Sequence, residues 1–489
     1  MTEGGRPLES PRIRPVQTEE KNPSLWSGSR WPRALLLWLW RHPYGSLTGI
    51  LLAVVALPFV ALRDSSAWIG VYIEAARHLK EGRDFYASGI GYLYPPFMAW
   101  AAIPFMSWPP VAARAFWFAA CAASFIFLCR WAWRAAGGGP LENPRRAPRS
   151  EHAICLLGLA LGIRYAVDGF AHHQTDLPVS ALVAGGSLAL LRSRTFLAAS
   201  AFGLAAGIKC TPLLFCLYLL WRRRWVAAAW VVSLAVGLNL LPNLAGSPPG
   251  GGIWLGEWLR LYLLPMSSPE HQPGIWGADT ILNQSLSGAL NRWTTTCWAW
   301  GENGFQVVGL PDPLGPEALK WLTYGIEAVL LIGSFLLMGF ARPAAAGIPA
   351  GGPSDGGGEV GPPRTALECS IVVLLMVLLS PMSSKPHFAT LVLPGFALAR
   401  QMVTRRSAVL GAILIAAILS GFISIKDLWG RDWASLTLWY GAVTSSALFA
   451  LLGCAVGLVQ ARTPMGEATA PGQSSRNPSP SDSGSSRST

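Results

Sequence analysis

An all-α, polytopic integral membrane protein is the fold class this sequence predicts. Three observations point to it. Hydrophobic residues make up 52% of the 489, and only 13% are charged, about half the ~25% of a soluble domain. Apolar runs recur along the chain, several of them near the ~20 residues needed to cross a bilayer core. Basic residues cluster between those runs, as Arg145-Arg146, Arg222-Arg223-Arg224 and Arg405-Arg406, the habit of cytoplasmic loops. This composition excludes a soluble multidomain enzyme, a disulfide-rich secreted scaffold and a mostly disordered chain. The net charge of +12 does not imply nucleic acid, because no soluble module carries a basic face.

The elements follow in order. Residues 1–44 read as a basic cytoplasmic tail. The run 45–62 reads as a retained signal anchor, since a cleavable signal places its apolar core directly after a short charged start. Residues 63–93 form a first outer loop. In it, Ile69, Tyr72, Ile73, Ala76 and Leu79 share one helical stripe between Trp68 and Glu81, which predicts a juxtamembrane helix at the interface. The stretch 94–107 is too short for an ordinary span, so it is re-entrant or a short tilted helix. Spans are expected at 112–131, 152–166 and 177–191. The run 195–220 has arginines on both sides and breaks near Gly207 and Pro212, so it reads as two short helices entering and leaving on the cytoplasmic side. After a span at 225–242 comes a second outer loop, 246–318. A span at 319–340 precedes a Gly/Pro-rich linker, 341–366. The runs 367–381, 388–399, 407–425 and 436–460 complete a module of about 11–13 transmembrane helices over 45–460. The Ser/Pro/Gly-rich tail 461–489 has too little apolar surface for a core.

Charge counts orient this module. With both termini inside, the inner segments hold 24 Lys and Arg in 132 residues, and the outer segments hold 9 in 130. The same division places 10 acidic residues inside and 14 outside. The reading is therefore a multi-pass plasma (inner) membrane protein with cytoplasmic termini and an acidic outer face. Eight cysteines show no paired or zinc-ligand spacing and imply no disulfide framework.

The polar residues available for chemistry gather on that outer face. Tyr86, Tyr92 and Tyr94 sit where amphipathic rings favour the headgroup level. The short loop after 166 carries Asp168, His172, His173, Gln174 and Asp176. Adjacent histidines with a nearby aspartate suggest a metal, but no third ligand is in view, so a polar or phosphate-binding lining is expected and no metal. Lys209 stands inside an apolar run in GLAAGIKCTPLL. A lysine at membrane depth costs roughly 2.5–3.5 kcal/mol unless it faces a partner or a wet cavity. It is either a snorkelling structural residue or an anion binder. Glu327 and Arg114 are further charges inside apolar runs. No internal repeat supports a transporter of duplicated halves.

Five motifs in order resemble glycosyltransferase family 87, membrane enzymes of the GT-C type related to polyprenyl-phosphate-mannose-dependent mannosyltransferases. They are VYIEAARHLKEGRDFY followed by YPPF, HHQTD, GLAAGIKCTPLLFCLYLLWRRRW, NQSLSGALNRW and LLSPMSSKPHF, spread over residues 68–388. The resemblance implies a GT-C-like fold, with a mannose-like sugar transferred from a polyprenyl phosphate to a lipid or glycan acceptor outside the cytoplasm. Transfer is with inversion, without nucleotide, metal or other cofactor, and without nucleic acid. Such chemistry needs a general base for the acceptor hydroxyl and positive charge or N–H donors for the leaving phosphate. Asp64, Glu74, Asp84 and Asp176 are the base candidates, with Asp64 foremost. Lys209, His172, His173, Arg292, Lys385 and His387 are the phosphate candidates. Tyr72, Tyr94, Gln174 and Asn283 belong to the same substrate-binding set. The chain departs from the family pattern at two places. Trp68 occupies the position of the usual acid, with Asp64 one helical turn earlier. Ser384 and Pro386 replace a Trp and a His in the last motif. The first departure also fits a non-catalytic relative that binds a lipid-linked sugar. A flippase of such lipids is the remaining alternative.

Overall fold

The computed structural model describes residue 60 and residues 66–139, 147–264, 280–301, 304–339 and 364–462. The chain divides into the units Met1–Val54 and Val55–Thr489, and the description below concerns the second. The signal anchor expected at 45–62 lies almost wholly outside the described residues. So do the tail 1–44, Asp64, the residues beyond Arg462, and the linker up to residue 363.

The first outer segment folds as a π-helical turn, Trp68–Ile73, running into α1, Glu74–Lys80. Its buried face, Trp68, Tyr72, Ile73, Ala76 and Leu79, is nearly the stripe read from the sequence. Helix α2 is only Phe97–Ala101, followed by a 3₁₀ turn at Ile103–Phe105. Five helical residues rise about 8 Å, so neither piece crosses a bilayer.

Helices α3 (Pro110–Ala135), α4 (Arg149–His172), α5 (Asp176–Leu191), α6 (Thr195–Ile208), α7 (Leu214–Trp221) and α8 (Trp225–Leu240) follow. Proline opens α3, at the position where a missing N–H costs nothing. Helix α6 stops because Lys209 is extended, with φ −150° and ψ 121°, and Pro212 starts the next turn.

The second outer loop contains more structure than the sequence suggested. It holds α9 (Trp254–Trp258), α10 (Leu286–Thr295) and an antiparallel hairpin, β1 (Thr296–Gly301) with β2 (Gly304–Gly309), in the register Thr296↔Gly309. The hairpin was not anticipated. The rest is helical: α11 (Pro316–Met338), α12 (Arg364–Leu378), a 3₁₀ segment Lys385–Leu391, α13 (Val392–Arg405), α14 (Ala408–Phe422), α15 (Lys426–Trp429), α16 (Arg431–Trp439) and α17 (Ala442–Arg462). The run expected at 436–460 is divided at Gly441, whose φ of +74° suits glycine.

The protein is thus an all-α polytopic membrane protein. Five described helices are long and apolar enough to cross a membrane, and four shorter apolar helices accompany them. Helix α12 is buried over nearly its whole length, as befits an all-round apolar helix inside a bundle. It packs on α5, α13 and α17.

Packing of α4 on α13 sets the position of His172, His173 and the Lys385–Leu391 segment. Gly158 and Gly162 form a small-xxx-small face on α4 that lets the α13 backbone approach closely. A Cβ at Gly395 would lie 2.3 Å from the Gly158 carbonyl oxygen, and one at Gly162 would lie 2.6 Å from the Val392 nitrogen. Gly395→Val is therefore expected to destabilise the protein by about 3 kcal/mol. Gly237→Ala, where a Cβ meets open space, is expected to leave stability unchanged. Thermal unfolding in detergent compares the two, and equal melting temperatures would refute the packing argument.

Candidate active site

The site is built where the start of α5, the end of α6 and the 3₁₀ segment Lys385–Leu391 converge. Asp176 opens α5 and Lys209 ends α6. An acid at a helix N-terminus and a base at a C-terminus each complement the helix dipole. The two meet in a buried ion pair, with Lys209 Nζ 2.7 Å from Asp176 Oδ1. Lys209 thus has the partner that its depth demanded.

Aromatic and hydroxyl groups close a ring around this pair. Lys209 Nζ lies 5.2 Å from the centre of the Tyr94 ring, within cation–π range. Tyr94 stacks on Tyr72 at 5.3 Å. The Tyr72 hydroxyl is 3.3 Å from Thr175 Oγ1, and Thr175 precedes Asp176. Burial holds the Tyr72 phenol well above its ordinary pKa, so it stays protonated. His387 completes the ring, with Nδ1 3.7 Å from Asp176 Oδ1 and 3.0 Å from Ser384 Oγ. Burial, together with the Lys209 ammonium, pushes His387 down to about 4. The imidazole is therefore neutral at neutral pH, and one of its nitrogens accepts a proton or hydrogen bond.

One atom of the ring has no hydrogen-bond partner. Asp176 Oδ2 is buried and accepts nothing. Two other carboxylates, buried Glu368 and half-buried Glu151, are used on both oxygens. Glu368 binds Arg222 and Arg364 through Oε1 and the Tyr218 hydroxyl through Oε2. Glu151 forms a two-point pair with Arg400 at 2.6 and 2.8 Å. A buried acceptor left open costs free energy, and such costs concentrate where a ligand or a proton is received.

The other predicted residues are placed as follows. Glu74 is engaged by Arg77 at 2.8 Å and faces His78 at 3.6 Å on its own helix. Asp84 Oδ1 accepts from the Tyr86 and Ala87 amides and shapes a turn. Neither carboxylate joins the ring. His172 is exposed and bonds through Nδ1 to the Asp168 carbonyl. His173 is buried, adopts a left-handed conformation at the end of α4 and lies 2.9 Å from Ser66 Oγ. His172 and Gln174 instead line an open pocket with Ser66, Ile69, Gly70 and Val71.

Asn283 and Arg292 are braces. Asn283 Oδ1 accepts from the Ser285 and Ser383 amides, and its Nδ2 donates to the Pro381 carbonyl. Arg292 is fully buried and donates to the carbonyls of Thr280, Asn283, Leu438 and Trp439. Its guanidinium thus ties four backbone carbonyls together. The motif NQSLSGALNRW thus holds the loop that presents Lys385 and His387. Trp68 lies 1% exposed and stacks on Trp117 at 3.9 Å and 4°. The position of the usual acid is therefore aromatic core.

Two contributors escaped the sequence reading. Thr175 carried no signal beyond its neighbour. Arg164, discussed below, stands inside an expected span, and that is the signal that marks it.

Comparison with known proteins decides the family. The model of glycosyltransferase family 87 matches residues 92–347, more than half of the chain. The chain belongs to glycosyltransferase family 87. The match includes Tyr94, Asp176 and Lys209, while His387 lies beyond it. A polyprenol-phosphate-mannose-dependent alpha-(1-2)-phosphatidylinositol pentamannoside mannosyltransferase of Mycolicibacterium smegmatis is 28% identical over 261 residues. That alignment covers 53% of each chain, so this chain spans about half the length of that relative. The family is one of glycosyltransferases, and five of the described helices here are long and apolar enough to cross a membrane.

Proposed function

We propose that the protein moves a mannose-like sugar from a polyprenyl phosphate to a lipid or glycan acceptor on the extracytoplasmic face of the plasma membrane. The observation that carries this reading is the buried Asp176–Lys209–His387 ring with its one open carboxylate oxygen. An acceptor hydroxyl attacks the anomeric carbon, and the bond from that carbon to the phosphate oxygen breaks. Its electron pair leaves with the polyprenyl phosphate, and the hydroxyl proton passes to Asp176 Oδ2. Lys209 stabilises the departing phosphate, and neutral His387 donates or accepts beside it. One displacement inverts the anomeric centre, and these residues supply both charges without a metal. The relative's dependence on polyprenol-phosphate-mannose supports the donor class. The excess of basic residues on the segments taken as inner supports the orientation. Asp64, adjacent to the Ser66 pocket in sequence, is the second base candidate.

Purified protein supplied with polyprenyl-phosphate mannose is expected to release polyprenyl phosphate and extend a lipid or glycan acceptor. No turnover with any polyprenyl-phosphate sugar, with donor binding retained, would favour the non-catalytic reading that Trp68 suggests. A reporter fused at residue 140 is expected to report the cytoplasm, and an outside signal would overturn the orientation.

A further inference from the structure

The 3₁₀ segment Lys385–Leu391 has two charged sides. His387 turns toward Asp176 and Lys209. Lys385, two residues earlier, sits in the electrostatic field of Arg164, Asp168, Lys426 and Asp427. This second group is assembled from three places: the last third of α4, the start of the 3₁₀ segment that packs on α4, and the first turn of α15.

Arg164 is its centre. Its Nη2 donates to the Ser424 carbonyl at 2.9 Å, and its guanidinium carbon lies 5.4 Å from the Tyr165 ring centre. Its Nε and Nη1 are buried and bond to no carbonyl or carboxylate, with the Tyr165 hydroxyl as the neighbouring polar group. None of the ion pairs among the described residues includes Arg164, Asp168, Lys385, Lys426 or Asp427. A guanidinium taken out of water with two donors that meet no carbonyl or carboxylate is costly unless an anion meets it. Its planar fork matches two oxygens of one phosphate. The arginines toward the other end of α4 and α7 show the contrast, since Arg400 and Arg222 each close on a carboxylate of the chain. The flank of the group is apolar and exposed: Leu428 is 64% exposed, Trp429 56% and Trp433 46%. Exposed tryptophans beside basic residues are the composition of a membrane interface.

We infer that Arg164 and Lys385, with Lys426 at the rim, form a second phosphate site that seats the phosphodiester headgroup of an anionic membrane lipid. Leu428, Trp429 and Trp433 lie against its acyl region. Donor phosphate at Lys209 and lipid phosphate at Arg164 then flank the same 3₁₀ segment. As the seat of the acceptor lipid, the site rests on the transfer reading above. As a lipid site, it stands on the geometry alone.

Native mass spectrometry of the full chain in detergent tests it by titration with phosphatidylglycerol, phosphatidylcholine and inorganic phosphate. The wild type is expected to bind phosphatidylglycerol at least tenfold more tightly than either of the others. Arg164→Gln is expected to weaken phosphatidylglycerol binding at least tenfold, and Gly237→Ala, whose added Cβ meets open space, to change it less than twofold. If Arg164→Gln does not elute as a folded monodisperse species, Lys385→Gln serves in its place, with a weakening of at least fivefold expected. Unchanged lipid binding in the folded variant overturns the proposal. Inorganic phosphate binding as tightly as the lipid does so too, because the site is then one for free phosphate. A failure of sugar transfer alone leaves these binding results as they stand.

Discussion

Lys209→Met is expected to reduce kcat for sugar transfer by about 10³-fold and to lower stability by about 3–5 kcal/mol. Both losses have one origin. In the resting protein, Lys209 is 2.7 Å from a carboxylate that is 3% exposed. Removing the ammonium leaves that charge buried without a partner. In the proposed reaction, the same ammonium offsets the charge growing on the leaving phosphate. Stability and catalysis separate in the double variant Lys209→Met/Asp176→Asn. It is expected to recover most of the melting temperature, because no isolated charge remains, and none of the activity. Lys209→Arg keeps the charge on a wider head and is expected to retain part of both. Wild-type activity in Lys209→Met would remove the lysine from the reaction and return it to a purely structural role.

The second large effect concerns the position where the family carries an acid. Trp68→Asp is expected to destabilise the protein by about 5 kcal/mol or more rather than to improve catalysis. Trp68 stacks on Trp117 and meets Phe105 edge-on at 5.4 Å. Truncating a buried Trp costs about 3–5 kcal/mol, and an unpaired carboxylate in the vacated space adds its desolvation. Thermal unfolding and the yield of monodisperse protein report the effect. A stable and more active Trp68→Asp would mean that this position still belongs to the reaction centre. Trp68→Phe, which keeps a ring against Trp117, is expected to cost far less.

Lys209 was legible because a charge inside an apolar run stands out against its neighbours. Its partners were not, because Asp176 is 33 residues away and His387 lies farther still. Only the packing of α5, α6 and the 3₁₀ segment brings them together. Arg292 shows the limit in the other direction. An arginine after a polar loop looks the same in sequence whether it meets a phosphate or four backbone carbonyls. Asn283 was recognised as part of a motif, yet its task of fixing the Pro381–Ser383 backbone appears only in the fold. The hairpin β1–β2 did carry a signal. Thr296–Gly301 and Gly304–Gly309 are rich in aromatic and β-branched residues around a Gly-bounded turn, but reading 246–318 as one loop hid it. The juxtamembrane stripe from Ile69 to Leu79 was read almost correctly, since helical periodicity is a local property. Its π-helical first turn was not, because that depends on how Trp68 and Tyr72 seat against α3 and Tyr94.

Asp176, and not an acid of the segment 63–93, is proposed to receive the acceptor proton. Rates of transfer from polyprenyl-phosphate mannose for Asp176→Asn and Asp64→Asn, measured side by side on folded protein, test it most directly. The account predicts a loss of at least about 10²-fold in kcat for Asp176→Asn and a loss under tenfold for Asp64→Asn. Full activity in Asp176→Asn, with the large loss falling on Asp64→Asn, would contradict it.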